Sequence, residues 1–276
     1  MKLPRGFSPF LAPSSLIWSG VLFASALGLA FVPLVGTLDF ELAFAIAIVI
    51  SFAAADLAAR RARVCVASAT DATDVAAASP TRELVGLCAL SFRHALGLLL
   101  VPLAIMSLNA LRVRQCDWGR GLWLYLCLPG FSALAGSVTG TISGRLLRGR
   151  PRLAVLAAWT FVLASFMVCA ARLVWAPPIF LYDAFAGYFP GALFDEQIVL
   201  GDAFFWSRVY YLGWGVLALG LAAIVLGERR RRVWVAVALA ALGTAALYAR
   251  SGSLGFIVSA DDIARAASVL FAVFAR

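Results

Sequence analysis

A cluster of acidic residues occupies one unusual stretch of this chain, between two long apolar runs. The stretch extends from Trp175 to Arg208 and contains Asp183, Asp195, Glu196 and Asp202. Carboxylate oxygens are ligands for calcium and magnesium ions, and paired carboxylates can act as general acid and base. The spacing here matches no metal-binding loop. We therefore favour a structural role, in which the acids cap short helices and pair with arginines.

The same stretch is rich in aromatic residues, which predicts a folded cap over one end of the protein. Burying an aromatic side chain is worth about 2–3 kcal/mol, so these rings cannot all remain in water. We expect a short interfacial helix over Leu193–Phe205, with the acids directed to water or paired with Arg172 and Arg208. The candidate contact residues for a partner are Asp183, Tyr188, Pro190, Asp195 and Glu196.

The sequence contains no complete catalytic or metal-binding set. His94 is the only histidine, which excludes multi-histidine zinc sites, and the cysteines form no CxxC pair. The sequence has no nucleophile elbow, P-loop or GxGxxG motif. Asp56 is the only acid near membrane depth, whereas an intramembrane aspartyl protease would need two. We therefore predict a protein without enzymatic activity, metal or cofactor.

Arg93 and His94 leave two interpretations open. They could form a proton relay or a counter-charge for a substrate, since ionisable groups at membrane depth usually have a function. Alternatively, both lie at the membrane surface and extend their polar ends to the headgroups. We favour the second interpretation because the third predicted helix can begin at His94.

The composition is that of an integral membrane protein. Of the 276 residues, 63% are hydrophobic and only 13% are charged, whereas globular domains have about a quarter charged residues. The net charge of +9 would suggest nucleic acid in a soluble domain. Here the bases stand beside the apolar runs, as orientation signals do. We expect the lipid bilayer as a partner and no nucleic acid.

Apolar runs of membrane length predict an all-α polytopic bundle with about seven transmembrane helices, since about 20 residues cross a bilayer. The predicted helices are Ser15–Gly36, Phe40–Ala59, His94–Leu111, Leu122–Gly144, Leu153–Val174, Val209–Leu226 and Val233–Ala249. A short amphipathic segment, Thr81–Phe92, leads to the membrane before the third helix. Residues 1–250 thus form the bundle, with a structured outer loop at 175–208. Residues 251–276 form a tail whose interfacial helix, Ile263–Ala275, is too short to span.

The fourth predicted helix has a small residue at every fourth position. These residues are Ser132, Gly136, Gly140 and Gly144. They lie on one face of the helix, where small side chains let a neighbouring backbone approach closely. This face predicts tight packing against another helix.

The distribution of bases predicts the orientation in the membrane. The loops on the side of the N-terminus carry twice as many lysines and arginines as those on the other side. The positive-inside rule then places the N-terminus in the cytoplasm. In a bacterial inner membrane, seven spans put the C-terminus and the 175–208 loop in the periplasm.

Three motifs carry a resemblance to a bacterial membrane module. They are PLVGTLDFELAFA (Pro33–Ala45), LNALRVRQCDWGRGL (Leu108–Leu122) and PPIFLYDAFAGYFPGALFDE (Pro177–Glu196). Together they resemble a multi-span module of uncharacterised myxobacterial-type proteins. In longer members this module precedes a periplasmic domain that is zinc-peptidase-like or solute-binding-like. The stretch Ser251–Phe256 resembles the entry to that domain, but no histidine follows it here.

Two classes of function fit these features. The first is a non-enzymatic anchoring or sensing module of the inner membrane that presents its outer face to an envelope protein. The second is a permease-like transport subunit, which the glycine-rich fourth helix would suit. The lack of an internal repeat and the small number of ionisable groups within the predicted helices favour the first.

Overall fold

The computed structural model describes residues 13–32, 35–67, 79–113, 117–175, 181–189 and 200–257. These ranges contain seven α-helices and one β-hairpin. In chain order the elements are α1 (Pro13–Ala30), α2 (Phe40–Ala67), α3 (Pro80–Asn109), α4 (Trp118–Leu146), α5 (Pro151–Trp175), β1 (Leu181–Asp183), β2 (Gly187–Phe189), α6 (Asp202–Val225) and α7 (Arg231–Ala249).

All seven helices are long and apolar enough to cross a membrane, by length and composition. The prediction of an all-helical protein with seven membrane-length helices is confirmed at this level. The hairpin adds one two-stranded sheet, which the sequence did not predict.

The start of α3 differs from the prediction. The predicted break between Thr81–Phe92 and a helix beginning at His94 is wrong, because α3 continues through both. The Ser79 side chain caps the start by accepting a hydrogen bond from the Arg82 backbone N–H. Pro80 follows in the first turn, where a helix has no need of the missing N–H. With its start fixed in this way, α3 is a single long helix.

Helix α6 also begins earlier than predicted, at Asp202 rather than Val209. The aspartate is favourable there because its negative charge meets the positive end of the helix dipole. Residues 202–205 of the predicted interfacial helix Leu193–Phe205 are therefore the first turn of α6. Residues 193–199, and the tail helix Ile263–Ala275, lie outside the described residues.

Helix α2 is the centre of the bundle. In its most apolar segment 72% of the residues are buried, compared with 17% in α5 and 6% in α7. Helices α1, α3, α4 and α5 all contact α2, whereas α6 packs against α3 and α4 and carries α7 as its partner. The outer helices present large exposed apolar side chains, such as Phe161 on α5 and Leu239 on α7. This arrangement fits a bundle surrounded by lipid.

Helices α2 and α4 run parallel with their backbones in contact. At one end, Gly121 lies against the carbonyl oxygen of Leu38. At the other end, a Cβ atom on Gly144 would lie 2.5 Å from the carbonyl oxygen of Ala59. Contacts at both ends fix the register of the two helices over their whole shared length.

The small residues of α4 lie in the interior of the bundle. The buried set includes Ser132, Gly136, Gly140 and Gly144. A Cβ atom on Gly136 would lie 2.5 Å from the carbonyl oxygen of Ser51. Only glycine allows the backbones to come this close, which is the packing that the four-residue spacing predicts.

Polar contacts gather the arginine-rich segments at one end of the bundle. Arg145, in the last turn of α4, donates to Glu83 in the first turn of α3 at 2.6 Å. The Thr81 hydroxyl donates to Glu228, between α6 and α7, at 3.2 Å. The end of α4, the start of α3 and the α6–α7 connection therefore lie together, as consecutive antiparallel helices require. The hairpin lies at the opposite end.

Candidate functional site

The site begins with a short hairpin in the connection between α5 and α6. Strands β1 and β2 are antiparallel, with Tyr182 opposite Tyr188 and Asp183 opposite Gly187. The Asp183 carboxylate stabilises the turn by accepting from the backbone N–H groups of Phe185 and Ala186, both at 2.7 Å. Gly187 has a φ of 95°, a conformation that glycine adopts without strain. Aspartate and glycine thus close a three-residue turn between the strands.

Aromatic side chains pack the hairpin into the bundle. Tyr182 and Tyr188 are buried and stack on each other with ring centroids 5.3 Å apart. The rings of Phe40 in α2 and Tyr188 pack edge to face, with their centroids 5.8 Å apart. Phe185, in the turn, is also buried. This half of the connection folds back onto the helices, as its aromatic content predicts.

Burial of the two tyrosines also fixes their protonation state. Burial, together with the neighbouring Tyr188, raises the pKa of Tyr182 to about 12, although the Arg208 charge opposes the shift. Burial likewise raises the pKa of Tyr188. Both phenols therefore stay neutral to a higher pH than an exposed tyrosine does, as the apolar packing around them requires.

Arg208 of α6 holds both strands of the hairpin. Its side chain is 2% exposed and donates to the carbonyl oxygen of Asp183 at 2.8 Å and to that of Gly187. The guanidinium carbon also lies 4.5 Å from the centroid of the Phe204 ring. These contacts compensate for the removal of the cation from water. The expected pairing of Arg208 with a carboxylate is wrong for Asp183, because the arginine binds the backbone instead.

The Asp183 carboxylate faces α5 rather than water or an arginine, so that part of the prediction is also wrong. Asp183 is 4% exposed, and its Oδ2 accepts from Ser165 and from the Cys169 thiol, the latter at 3.4 Å. With two backbone donors on Oδ1, four groups bind this carboxylate. Its hydrogen bonds order the hairpin and leave it poorly placed to take a proton from a substrate.

The other predicted site residues divide into two groups. Arg172 is exposed and makes no ion pair with Asp183 in the part of the chain that the structure describes. Pro190, Asp195 and Glu196 lie outside the described residues. Within the described ranges, no three or more His, Cys, Asp and Glu residues gather where they could hold a metal ion.

Sequence reasoning missed Tyr211 and Ser165. The Tyr211 hydroxyl donates to the carbonyl oxygen of Tyr182 at 2.8 Å, beside the contacts of Arg208. Arg208 and Tyr211 are three residues apart and so share one face of α6. A base and a phenol on one face at the start of an apolar helix is a signal that could have indicated this contact. Ser165 offers no such signal, because only the fold brings it to Asp183.

His94 lies in the helix interface rather than at the membrane surface. It is 3% exposed, and its Nδ1 lies 2.8 Å from an Arg61 guanidinium nitrogen. Arg61 also donates to the carbonyl oxygen of Leu90 at 3.0 Å. The surface interpretation is therefore wrong for His94, which joins α2 to α3, whereas Arg93 is exposed.

Comparison with protein-family models, curated proteins and solved structures finds no match to this chain. The resemblance to a myxobacterial-type membrane module therefore stays a prediction. The geometry stands by itself: the buried Arg208 and the buried Asp183 hold a hairpin against the end of a seven-helix bundle.

Proposed function

We propose that this protein is a non-enzymatic module of a bacterial inner membrane that anchors or senses an envelope partner at its outer end. The observation that carries the proposal is the hairpin held by Arg208 and Tyr211. It makes half of the α5–α6 connection a rigid platform on the bundle. The remaining half of that connection carries Asp195 and Glu196 in its sequence. An acidic pair next to a fixed platform suits contact with a basic or polar surface.

The same packing weighs against the alternative of a permease-like transport subunit. A permease needs a polar path between helices that can open on either side. Here α2 and α4 are in backbone contact along the centre of the bundle. The hairpin contacts α2, α4 and α5 at one end, where such a path would begin. Anchoring or sensing requires no path through the bundle.

The test is covalent capture of the envelope partner in living cells. The tagged protein is crosslinked, purified and compared with the variant D195N/E196Q. We expect the variant to lose its crosslinked envelope protein while its level in the membrane is unchanged. The matched control is R148Q/R150Q, which neutralises two exposed arginines at the opposite end and should keep the adduct.

An adduct that survives D195N/E196Q but is lost in R148Q/R150Q would contradict the proposal, because the partner would then bind the other end. A solute or ion flux into liposomes containing the purified protein would support the transport alternative instead.

A further inference from the structure

Two grooves on one side of the bundle have no part in the site described above. The first, of about 310 Å³, is lined in the described part of the chain by apolar and aromatic residues: Trp18, Val21, Ile48, Val49, Phe52 and Trp159. The second, of about 320 Å³, lies between the end of α2 and the start of α5 and is lined by Arg60, Arg63, Pro151, Arg152, Val155 and Leu156. Each volume is at the lower end of the ~300–1,000 Å³ range of small-molecule sites.

Helical spacing places the two grooves end to end. On α2, Phe52 lines the apolar groove and Arg60 lines the basic groove, two steps of four residues along the same face. On α5, Arg152 lines the basic groove and Trp159 lines the apolar groove. Seven residues of helix separate these two side chains by about 10 Å along the axis. The basic groove therefore continues into the apolar one toward the middle of the bundle.

Asp56 marks the junction between the grooves. Its buried carboxylate accepts from the Trp18 indole N–H at 3.0 Å and from the Arg60 Nε at 2.9 Å. The Trp18 ring in turn meets the Trp159 ring edge-on at 6.2 Å. This hydrogen-bonded junction fixes the aromatic wall of one groove and the position of one arginine of the other.

The basic groove retains an excess of positive charge. Asp56 compensates Arg60, but no acid lies among the described residues that line the groove with Arg63 and Arg152. Within the described residues, the buried Nε of Arg63 has no hydrogen-bond partner. Guanidinium groups that lie beside an apolar groove match a ligand with an anionic head and a hydrocarbon tail.

We propose that the two grooves form one site for an anionic diacyl phospholipid of the membrane. The lipid phosphate binds among Arg60, Arg63 and Arg152, and one acyl chain lies in the apolar groove. Guanidinium groups are well suited to phosphate oxygens, and basic pockets between helices at the membrane surface bind anionic headgroups. This site rests on the membrane location given under the proposed function, but not on the envelope partner.

The test measures the thermal unfolding temperature of the full chain, purified in an uncharged detergent. We expect dioleoylphosphatidylglycerol to raise the unfolding temperature, and dioleoylphosphatidylcholine or inorganic phosphate to leave it unchanged. The variant R63Q/R152Q should need about thirtyfold more phosphatidylglycerol, because each arginine near an anionic surface contributes about a fivefold factor. The variant R148Q/R150Q removes the same charge from the neighbouring exposed loop and should respond like the wild type.

A second variant tests the apolar half without changing any charge. V21F places a larger side chain in the apolar groove and should weaken the response to phosphatidylglycerol even if R63Q/R152Q proves too unstable to measure. The proposal would be overturned if the two lipids raised the unfolding temperature equally. It would also be overturned if R63Q/R152Q and R148Q/R150Q responded equally to phosphatidylglycerol. A rise in the unfolding temperature with inorganic phosphate alone would also overturn the proposal, since it would indicate an adventitious ion only. Resistance of the wild type to alkaline carbonate extraction is the separate readout for the membrane location itself.

Discussion

Arg208 is the residue on which the hairpin depends. Replacing it with methionine keeps much of the side-chain volume but leaves the buried carbonyl oxygens of Asp183 and Gly187 without their donor. We expect R208M to lower the free energy of unfolding by about 2–6 kcal/mol, the cost of leaving two buried acceptors unsatisfied. Release of the hairpin should expose its buried aromatic residues, so chymotrypsin should cut the variant after Tyr182, Phe185 or Tyr188, whereas the wild type resists.

Arg172 offers the matched control, because it is an exposed arginine near the same end of the bundle. R172M should change the stability by less than about 0.5 kcal/mol and leave the hairpin resistant to protease. Equal protease sensitivity of R208M and R172M would show that the hairpin is held by something other than Arg208.

Glu228 makes the other end of the protein sensitive to acid. Burial alone would raise its pKa, but hydrogen bonds from Arg230 and Thr81, with the Arg230 charge, hold the pKa of Glu228 below its ordinary value of 4.5. The ionised form is therefore favoured by folding. Its contribution to stability is fully present above about pH 4.5 and is lost as the pH falls through the lower folded-state pKa.

The variant E228Q tests this linkage. We expect E228Q to be less stable than the wild type at pH 7 and the two unfolding temperatures to converge as the pH falls below 4.5. The measurement is thermal unfolding in detergent at a series of pH values. If the unfolding temperatures of E228Q and the wild type changed in parallel with pH, the charge of Glu228 would not contribute to stability.

At the scale of elements, the contact between α2 and α4 leaves no room for added side-chain atoms at Gly136, Gly140 or Gly144. A Cβ atom on Gly140 would overlap the carbonyl oxygen of Ala55 and lie 2.8 Å from the Cβ of Ala58. We expect G140A to lower the free energy of unfolding by about 1–3 kcal/mol through overpacking, and G140L to prevent folding. Thermal unfolding of the purified protein measures the effect of G140A, and the yield of extractable protein measures the effect of G140L.

The control for Gly140 lies in the same helix. A Cβ atom on Gly130 meets nothing within 4 Å, so G130A should be neutral or should stabilise α4 by up to about 1 kcal/mol. If G140A and G130A melt at the same temperature, the close approach of the two helices does not contribute to stability.

At the scale of the whole molecule, the separation of charges predicts the orientation in the membrane. The arginine-rich segments gather at one end, and that end should face the cytoplasm. Alkaline phosphatase fused after Arg276 should therefore be active in the periplasm, and the same enzyme inserted after Gly149 should be inactive. The reversed pattern would overturn the orientation, although the seven-helix architecture would stand.

Much of the architecture could be predicted from the sequence, because the bilayer imposes a simple length rule on apolar runs. The seven helices follow from that rule, and the packing face of α4 follows from the spacing of its small residues. The first residues of the helices were less predictable. The cap at Ser79 and the acid at Asp202 start α3 and α6 earlier than hydropathy indicates, since helix ends depend on local hydrogen bonds rather than on apolarity.

The site itself depended on the tertiary structure. The sequence by itself determined that the stretch from Trp175 to Arg208 is aromatic and acidic, and that Arg208 is its only base. Only the fold decided that Arg208 binds carbonyl oxygens and that Asp183 turns toward Ser165. The physical reason is that a buried polar group takes whichever partners the packed backbone brings within hydrogen-bonding distance, and residues far apart in sequence meet only after the helices have packed.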